Sequence, residues 1–342
     1  MGEGGLERSR RIPWHYQRQS LVTPQDSSTA LRMTLDAGRQ SLEDLSVTST
    51  LSPIFIIAGP TAVGKSAIAV EVAERCGGEI VSADAFQAYE GLDILTAKPE
   101  PELLARVPHH LIGEVPRTRS FDVAQFRELA EDRIAAIRER GRIPIIVGGA
   151  GFYVKALTHG LPDDLPGADA RLREELEGKA TEELVEQLAL LDPECHARID
   201  RRNRRRLVRA LEVCLLTGKP FSSFRERWWE PIRRYTGVVL NRSRDELHTR
   251  INQRTEAMFA SGVVDEVRAA EDIGPTAVET LGCVEIQDYI RGLMTRERCI
   301  ELIQQLTRQY AKRQLTWFRR ETGLEWVEAG EAGLVEELVE VL

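Results

Sequence analysis

The sequence predicts an α/β fold: a parallel-sheet core with an all-helical subdomain inserted into it. Three observations predict it. A buried-strand run, Ile54-Phe55-Ile56-Ile57, leads through the glycine-spaced loop Gly59-Pro60-Thr61-Ala62-Val63-Gly64-Lys65-Ser66 into an amphipathic helix, Ala67 to Arg75. Two further short apolar runs, Glu79 to Asp84 and Ile143 to Val147, are separated by a segment of helical periodicity, the alternation that builds parallel sheets. From about Leu161 the chain turns to charged helices, and Tyr235 to Leu240 reads as a strand returning to the core.

Residues 1–50 are polar, arginine-dotted and without a sustained period, and read as a disordered tail or an over-extended N-terminus, with Met33 much closer to the first strand. The core's first part, 51–160, opens on the glycine-spaced loop, whose pattern G-x-x-x-x-G-K-[ST] makes it P-loop NTPase-like and marks a phosphate cradle. Gly59 and Gly64 permit turns that point N–H groups inward, and the helix N-terminus adds partial positive charge. Lys65 is spaced to reach the outer phosphate and the Ser66 hydroxyl to ligate Mg²⁺. The loop alone leaves open which phosphate compound it holds. Asp84 ends the second strand, and ligands in open parallel sheets bind beyond the carboxyl ends of the strands, so Asp84 is expected beside the loop. It can hold Mg²⁺ through water, take a proton from an incoming nucleophile, or only cap a helix.

The loop from Tyr89 to Pro101 carries Thr96 and Lys98, and His109-His110 read as loop packing, since no other His or Cys lies at ligand spacing. Val123 to Arg140 is helical in period, with Asp122 as its cap and Gly141 ending it. The strand Ile143 to Val147 then runs into Gly148-Gly149-Ala150-Gly151, where small residues let backbone approach closely. Residues 161–234 read as the inserted subdomain, with helices at Arg171 to Glu177, Thr181 to Leu191 and Arg202 to Leu216. Leu207, Leu211 and Leu215 form the apolar stripe of the last, which predicts that its arginines face outward. Six arginines between Arg201 and Arg209 repel one another without a polyanion, so phosphate contact is expected there. Phe221 to Trp229 mixes aromatics with arginines, either as packing or as a surface for stacking bases. The rest of the core, 235–342, is read as helices at Asp245 to Ala260, Val263 to Ala270, Val284 to Gly292 and Arg296 to Phe318, then a short strand and an acidic helix. Arg250 and Arg254 lie one helical turn apart and are placed to hold an anion jointly.

Composition sets bounds. No stretch is apolar for long enough to span a membrane, and the N-terminus has no secretory signal. The five cysteines are scattered and never spaced C-x-x-C, which predicts a reducing cytoplasm and neither a disulfide framework nor a zinc knuckle. Net charge is −8, yet basic residues cluster at Arg198 to Arg209 and again at Arg308 to Arg320, so a polyanionic partner stays open.

In order along the chain, Gly59 to Ser66, Val81-Ser82-Ala83-Asp84, Gly91-Leu92-Asp93 with Thr96-Ala97-Lys98-Pro99, and Val147-Gly148-Gly149 with Gly151 and Tyr153 form one series of motifs. Arg209 to Val213, Thr217-Gly218-Lys219-Pro220, and Thr307 to Gln314 with Thr316-Trp317-Phe318 complete it. From about residue 53 to 328 the chain resembles the tRNA dimethylallyltransferases, also called tRNA isopentenyltransferases. The resemblance implies that the loop binds the diphosphate of dimethylallyl diphosphate, with Mg²⁺ on Ser66. The prenyl group then passes to the exocyclic amine of the adenosine that follows the anticodon. It makes Asp84, Lys65 and Arg254 the catalytic residues, with Asp84 taking the proton of the amine. It places tRNA contacts at Asp84, Ala85, Phe86, Gln87 and Ala150 around the pocket. Further contacts fall at Arg173, Arg205, Arg206, Leu207, Val208 and Arg209 in the helical subdomain and at Arg313 in the last long helix. The anticodon stem-loop is the implied partner, and a monomer is expected because tRNA itself supplies a large binding surface.

The chain departs from the family at Ala85, where serine is usual, at Leu95, where glycine precedes the threonine, and at Ala150 in place of threonine. Arg205 stands for a glutamine, and Gly282-Cys283-Val284 for a Gly-Tyr-basic motif. These departures bear on tRNA selection and leave the loop and Asp84 intact. Two other readings stay open at this level: a small-molecule P-loop kinase that binds ATP, and a tRNA-binding paralogue that is non-catalytic or of altered specificity.

Overall fold

The computed structural model describes residues 51–162, 165–224, 230–270, 272–320 and 323–342. The expectations for residues 1–50, and for Trp228 and Trp229 as packing or stacking surface, lie outside them. Six strands, β1 (Ile54–Ala58), β2 (Gly78–Ser82), β3 (His109–His110), β4 (Ile143–Gly148), β5 (Tyr235–Asn241) and β6 (Glu325–Glu328), form one sheet in the order β3-β2-β4-β1-β5-β6. Every pairing is parallel, with Ile57 opposite Val147 on one side and Val238 on the other.

Side chains alternate along each strand, so a sheet covered on both faces needs apolar residues at every position. Ile54, Ile56 and Ala58 of β1 enter one core together with Val81, Ile146 and Val239. Phe55 and Ile57 enter the other, with Ile80, Ile145, Val147, Val238 and Leu240. The second core is covered by α1 (Lys65–Cys76) and by the C-terminal helix, Leu334–Val341. The first is covered by α3 (Val123–Glu139) and α4 (Gly151–His159), a short helix α2 (Pro101–Leu104) lying between β2 and β3. Asp122 caps α3 through a capping box with Gln125.

Residues 170–217 form α5 (Ala170–Glu177), α6 (Thr181–Leu191), α7 (Pro193–Arg198) and α8 (Arg204–Thr217) around a third cluster that includes Leu176, Leu184, Leu188, Cys195, Leu207 and Leu211. After β5 come α9 (Arg244–Ala260), α10 (Val263–Ala269), α11 (Cys283–Ile290) and the long α12 (Arg296–Phe318), before β6 and α13 (Leu334–Val341).

Three readings of the sequence are corrected. His109-His110 is not loop but the edge strand β3, two residues long and so invisible to a periodicity search, with His110 Nε2 2.7 Å from Glu79 Oε2. The helix α7 is absent from the sequence reading; Pro193 stands at its first turn, where the missing N–H costs nothing, and Asp192 caps it by accepting from the Cys195 N–H. Leu215 is 41% exposed: eight residues on, a helix has rotated about 80° from the start of the stripe, and Cys214 takes the buried position.

Candidate active site

The carboxyl ends of β1, β2, β4 and β5 open onto one region, and each delivers a functional segment there. From β1 the chain enters the phosphate loop, with Gly59 at φ 148° and Gly64 at φ 109°. Gly59 admits no side chain, because a Cβ would sit 2.8 Å from the Leu240 carbonyl oxygen. The loop's carbonyls are held from outside: Lys65 Nζ donates to Pro60 O at 2.9 Å, Arg250 Nε to Ala62 O at 2.8 Å, and Arg242 Nε to Val63 O at 2.8 Å. Carbonyls fixed in this way leave the concave side to N–H groups. Helix α1 starts at Lys65 with no side-chain cap, so its first N–H groups are open to an anion. Ser66 lies half-buried in that first turn.

Asp84 follows β2. Its Oδ1 accepts from the Phe86 N–H at 2.9 Å and the Gln87 N–H at 3.3 Å, which shapes the turn carrying Ala85, Phe86 and Gln87. No helix follows, so Asp84 braces a turn and caps no helix, and that turn occupies one oxygen. Across from Asp84 stand Lys65 and Arg254, each within reach of its charge. Burial pulls the Lys65 ammonium down to about 8, against the opposing attraction of Asp84, and Arg254 lowers it further. The Arg254 guanidinium is also held below its usual value by burial, and its Nε is buried with no hydrogen-bond partner. A half-buried cationic fork whose buried Nε lacks a partner, beside an uncapped helix start, suits a multiply charged anion such as a diphosphate.

From β4 the chain enters Gly148-Gly149-Ala150-Gly151, and contact explains each glycine. A Cβ on Gly148 would meet Ala83 O at 2.1 Å, one on Gly149 would meet Gln314 Nε2 at 2.2 Å, and one on Gly151 would meet the Trp317 ring at 2.1 Å. Ala150 follows at the cap of α4, its N–H on Ala83 O at 3.2 Å. Tyr153 stacks on Phe126 with centroids 4.2 Å apart, and Tyr310 lies under Arg313 at 5.7 Å. Burial raises both phenols, and the Asp84 charge reaches each of them. The wall facing Asp84 is thus aromatic.

Thr96 and Lys98 turn out to brace their own loop: Thr96 Oγ1 donates to Leu92 O at 2.6 Å, and Lys98 Nζ to Tyr89 O at 2.6 Å and Asp93 Oδ1 at 2.5 Å. Leu95, where the family has glycine, is buried, with its N–H on Glu266 Oε2 at 2.7 Å. Cys283 is buried too, whereas Val284 is exposed.

The arginine-rich segment divides. Arg201, Arg202, Arg205 and Arg206 are exposed, Arg205 in an ion pair with Glu279 of the core. The expectation that all its arginines face outward is corrected for two of them. Arg204 donates to the Glu177 carbonyl at 2.7 Å, and Arg209 pairs with Glu212 and donates to Pro166 O at 2.7 Å. Glu212 is fully buried and is also gripped by Arg173 at 2.8 Å, so Arg173 and Arg209 knit the subdomain together. Leu207 and Val208, also expected to contact tRNA, have their side chains in the subdomain's apolar cluster. Arg313 is exposed on α12, and Arg319 and Arg320 are exposed just past its end. Sequence reasoning gave no role to Gln314 or Arg242, both of which hold the phosphate loop from sites more than 170 residues away. No short-range signal marks such partners.

The IPP transferase family profile matches residues 87–321, and the Isopentenyl transferase profile matches residues 52–113. The chain is 46% identical over 285 residues to a tRNA dimethylallyltransferase of Geobacter sulfurreducens, covering 80% of this chain and 91% of the relative. It is 43% identical over 310 residues to a tRNA dimethylallyltransferase of Salinibacter ruber, covering 88% and 95%. Among solved structures, the tRNA isopentenylpyrophosphate transferase of Bacillus halodurans superposes with a TM-score of 0.61 at 38% identity, over 84% of this chain and 94% of that one. A eukaryotic dimethylallyltransferase acting on tRNA shares the fold, with a TM-score of 0.69 at 24% identity over 81% of this chain and 74% of that one.

Proposed function

The chain belongs to the IPP transferase family, and on that premise we propose that it transfers a dimethylallyl group from dimethylallyl diphosphate to the exocyclic amine of the adenosine on the 3′ side of the anticodon in tRNAs. The observation that carries the reading is the meeting of Asp84, Lys65 and Arg254 at the uncapped start of α1. Breaking the allylic C–O bond leaves positive charge on the prenyl carbon and negative charge on the departing diphosphate. The first N–H groups of α1, Lys65, Arg254 and Arg250 are the groups on hand to take up that negative charge. The adenine amine forms the new C–N bond and sheds a proton to the Asp84 oxygen that the turn does not use. The products are N6-(dimethylallyl)adenosine and diphosphate, and the atoms balance.

Ser66, half-buried in the first turn of α1, is the residue whose hydroxyl would hold Mg²⁺ beside a diphosphate. Among the described residues no cluster of three or more His, Cys, Asp or Glu could hold it by protein ligands alone. When bound it would neutralise diphosphate charge. The adenine must leave its stack to reach Asp84, and the exposed Arg201, Arg202, Arg205 and Arg206 of the helical subdomain give the anticodon stem's phosphates a place to dock. The phosphate-transfer reading gives that face no role. We take the enzyme to act as a cytoplasmic monomer; no described helix is long and apolar enough to cross a membrane, and all five cysteines are free thiols.

The test is incubation with dimethylallyl diphosphate, Mg²⁺ and unmodified tRNA, then digestion and mass spectrometry for prenyladenosine. Asp84→Asn is expected to remove at least about a hundredfold of the rate, the contribution of a positioned base. Unchanged prenylation by this variant would sink the assignment of the base.

A further inference from the structure

Gln314 lies on α12, 5% exposed, and every polar atom of its side chain has a use. Its Oε1 accepts from the Thr61 N–H of the phosphate loop at 2.8 Å, and its Nε2 donates to the Gly149 carbonyl at 3.0 Å. The Tyr310 hydroxyl lies one turn earlier on the same helix, close enough to feel the amide. A donor on one side and an acceptor on the other fix which way the amide points. The residue therefore joins the phosphate loop after β1 to the glycine turn after β4, beside Tyr310. The packing is tight enough that Gly149 could carry no side chain without displacing the amide.

The same helix presents Lys312 and Arg313 to solvent, and Trp317 lies against Gly151. Resting on the prenyl-transfer reading, we infer that Gln314 is a positioning residue: it sets the register of the diphosphate loop against the adenine pocket and ties both to the RNA-facing side of α12. Both of its bonds are to protein backbone. Its loss would free the Thr61 N–H and the Gly149 carbonyl in a buried place, and the loop would relax to satisfy them elsewhere. Diphosphate binding and turnover would suffer, while docking of tRNA on the arginine face would not.

Two variants test this. Gln314→Leu removes both bonds. Gln314→Glu keeps an acceptor for the Thr61 N–H but sets a carboxylate against the Gly149 carbonyl. Both are expected to lower kcat/KM for dimethylallyl diphosphate by about tenfold or more, with tRNA affinity within about twofold of wild type. For Gln314→Glu the deficit, measured relative to wild type at each pH, is expected to shrink towards about pH 5 as the carboxyl gains a proton and again donates. Kinetics equal to wild type in both variants would overturn the inference. So would a pH-independent loss that weakens both substrates alike and tracks a lower melting temperature, because that is the mark of a merely structural residue. Should wild type itself yield no prenyladenosine, the activity reading fails on its own, and calorimetry with inorganic diphosphate on wild type and Gln314→Leu still decides the role of Gln314 at the loop.

Discussion

Raising the pH is expected to loosen the enzyme's hold on its diphosphate substrate, and Lys65 sets the scale. Its ammonium titrates near 8 in the free protein because burial costs more than the attraction of Asp84 returns, with Arg254 pushing the same way. A bound diphosphate supplies the missing negative charge and restores the value towards the 10.5 of an ordinary lysine. Above about pH 8, therefore, binding must take up a proton, and affinity falls by up to about one log unit per pH unit. Between about pH 7 and pH 9 the loss comes to about tenfold, or about 1.4 kcal/mol. Titration calorimetry with a non-hydrolysable prenyl diphosphate, in buffers of different ionisation enthalpy, reads both the affinity and the proton uptake. Lys65→Arg, charged throughout this range, should bind with a flat profile. An affinity for wild type that stays constant from about pH 7 to pH 9 would refute the placement of Lys65 in a buried cationic site. The same shift acts on folding with the opposite trend: between about 8 and 10.5 the unfolded chain holds the extra proton, so the cost of the buried ammonium fades and stability rises with pH.

Glu212→Gln is expected to destabilise the helical subdomain by about 2 kcal/mol, below the usual cost of breaking a buried pair because Arg173 and Arg209 are partly exposed and can rehydrate; a denaturant melt measures it. Arg206→Ala should weaken tRNA binding uniformly across sequences and reduce the slope of log affinity against log salt by about one unit, leaving KM for the prenyl donor unchanged. A variant that changes the donor's KM instead would move Arg206 out of the RNA-facing set.

Much of the core was legible because parallel strands covered on both faces leave unbroken apolar runs, as at Ile54 to Ala58 and Ile143 to Val147. The phosphate loop was legible because its glycines, lysine and serine are contiguous and their spacing is itself the mechanism. The place of Asp84 followed from one rule about the ends of parallel strands. The arginine-rich helix was legible only in part. A helical wheel separates buried from exposed faces, but it does not reveal that a buried Glu212 on the same helix would claim Arg209 and, from a different helix, Arg173.

By itself, then, the sequence determined the family, the order of the strands and helices other than β3 and α7, and the identity of the groups at the phosphate loop, because each of these is written in contiguous residues or in a local period. Only the tertiary structure decided which polar side chains serve the site and which serve the scaffold. Gln314 meets Thr61 across 253 residues of chain and Gly149 across 165, and the Lys65 ammonium is shifted by burial among groups from three separate segments. Hydrogen bonds and desolvation depend on distance in space, and a linear pattern carries no measure of that distance until the sheet has closed.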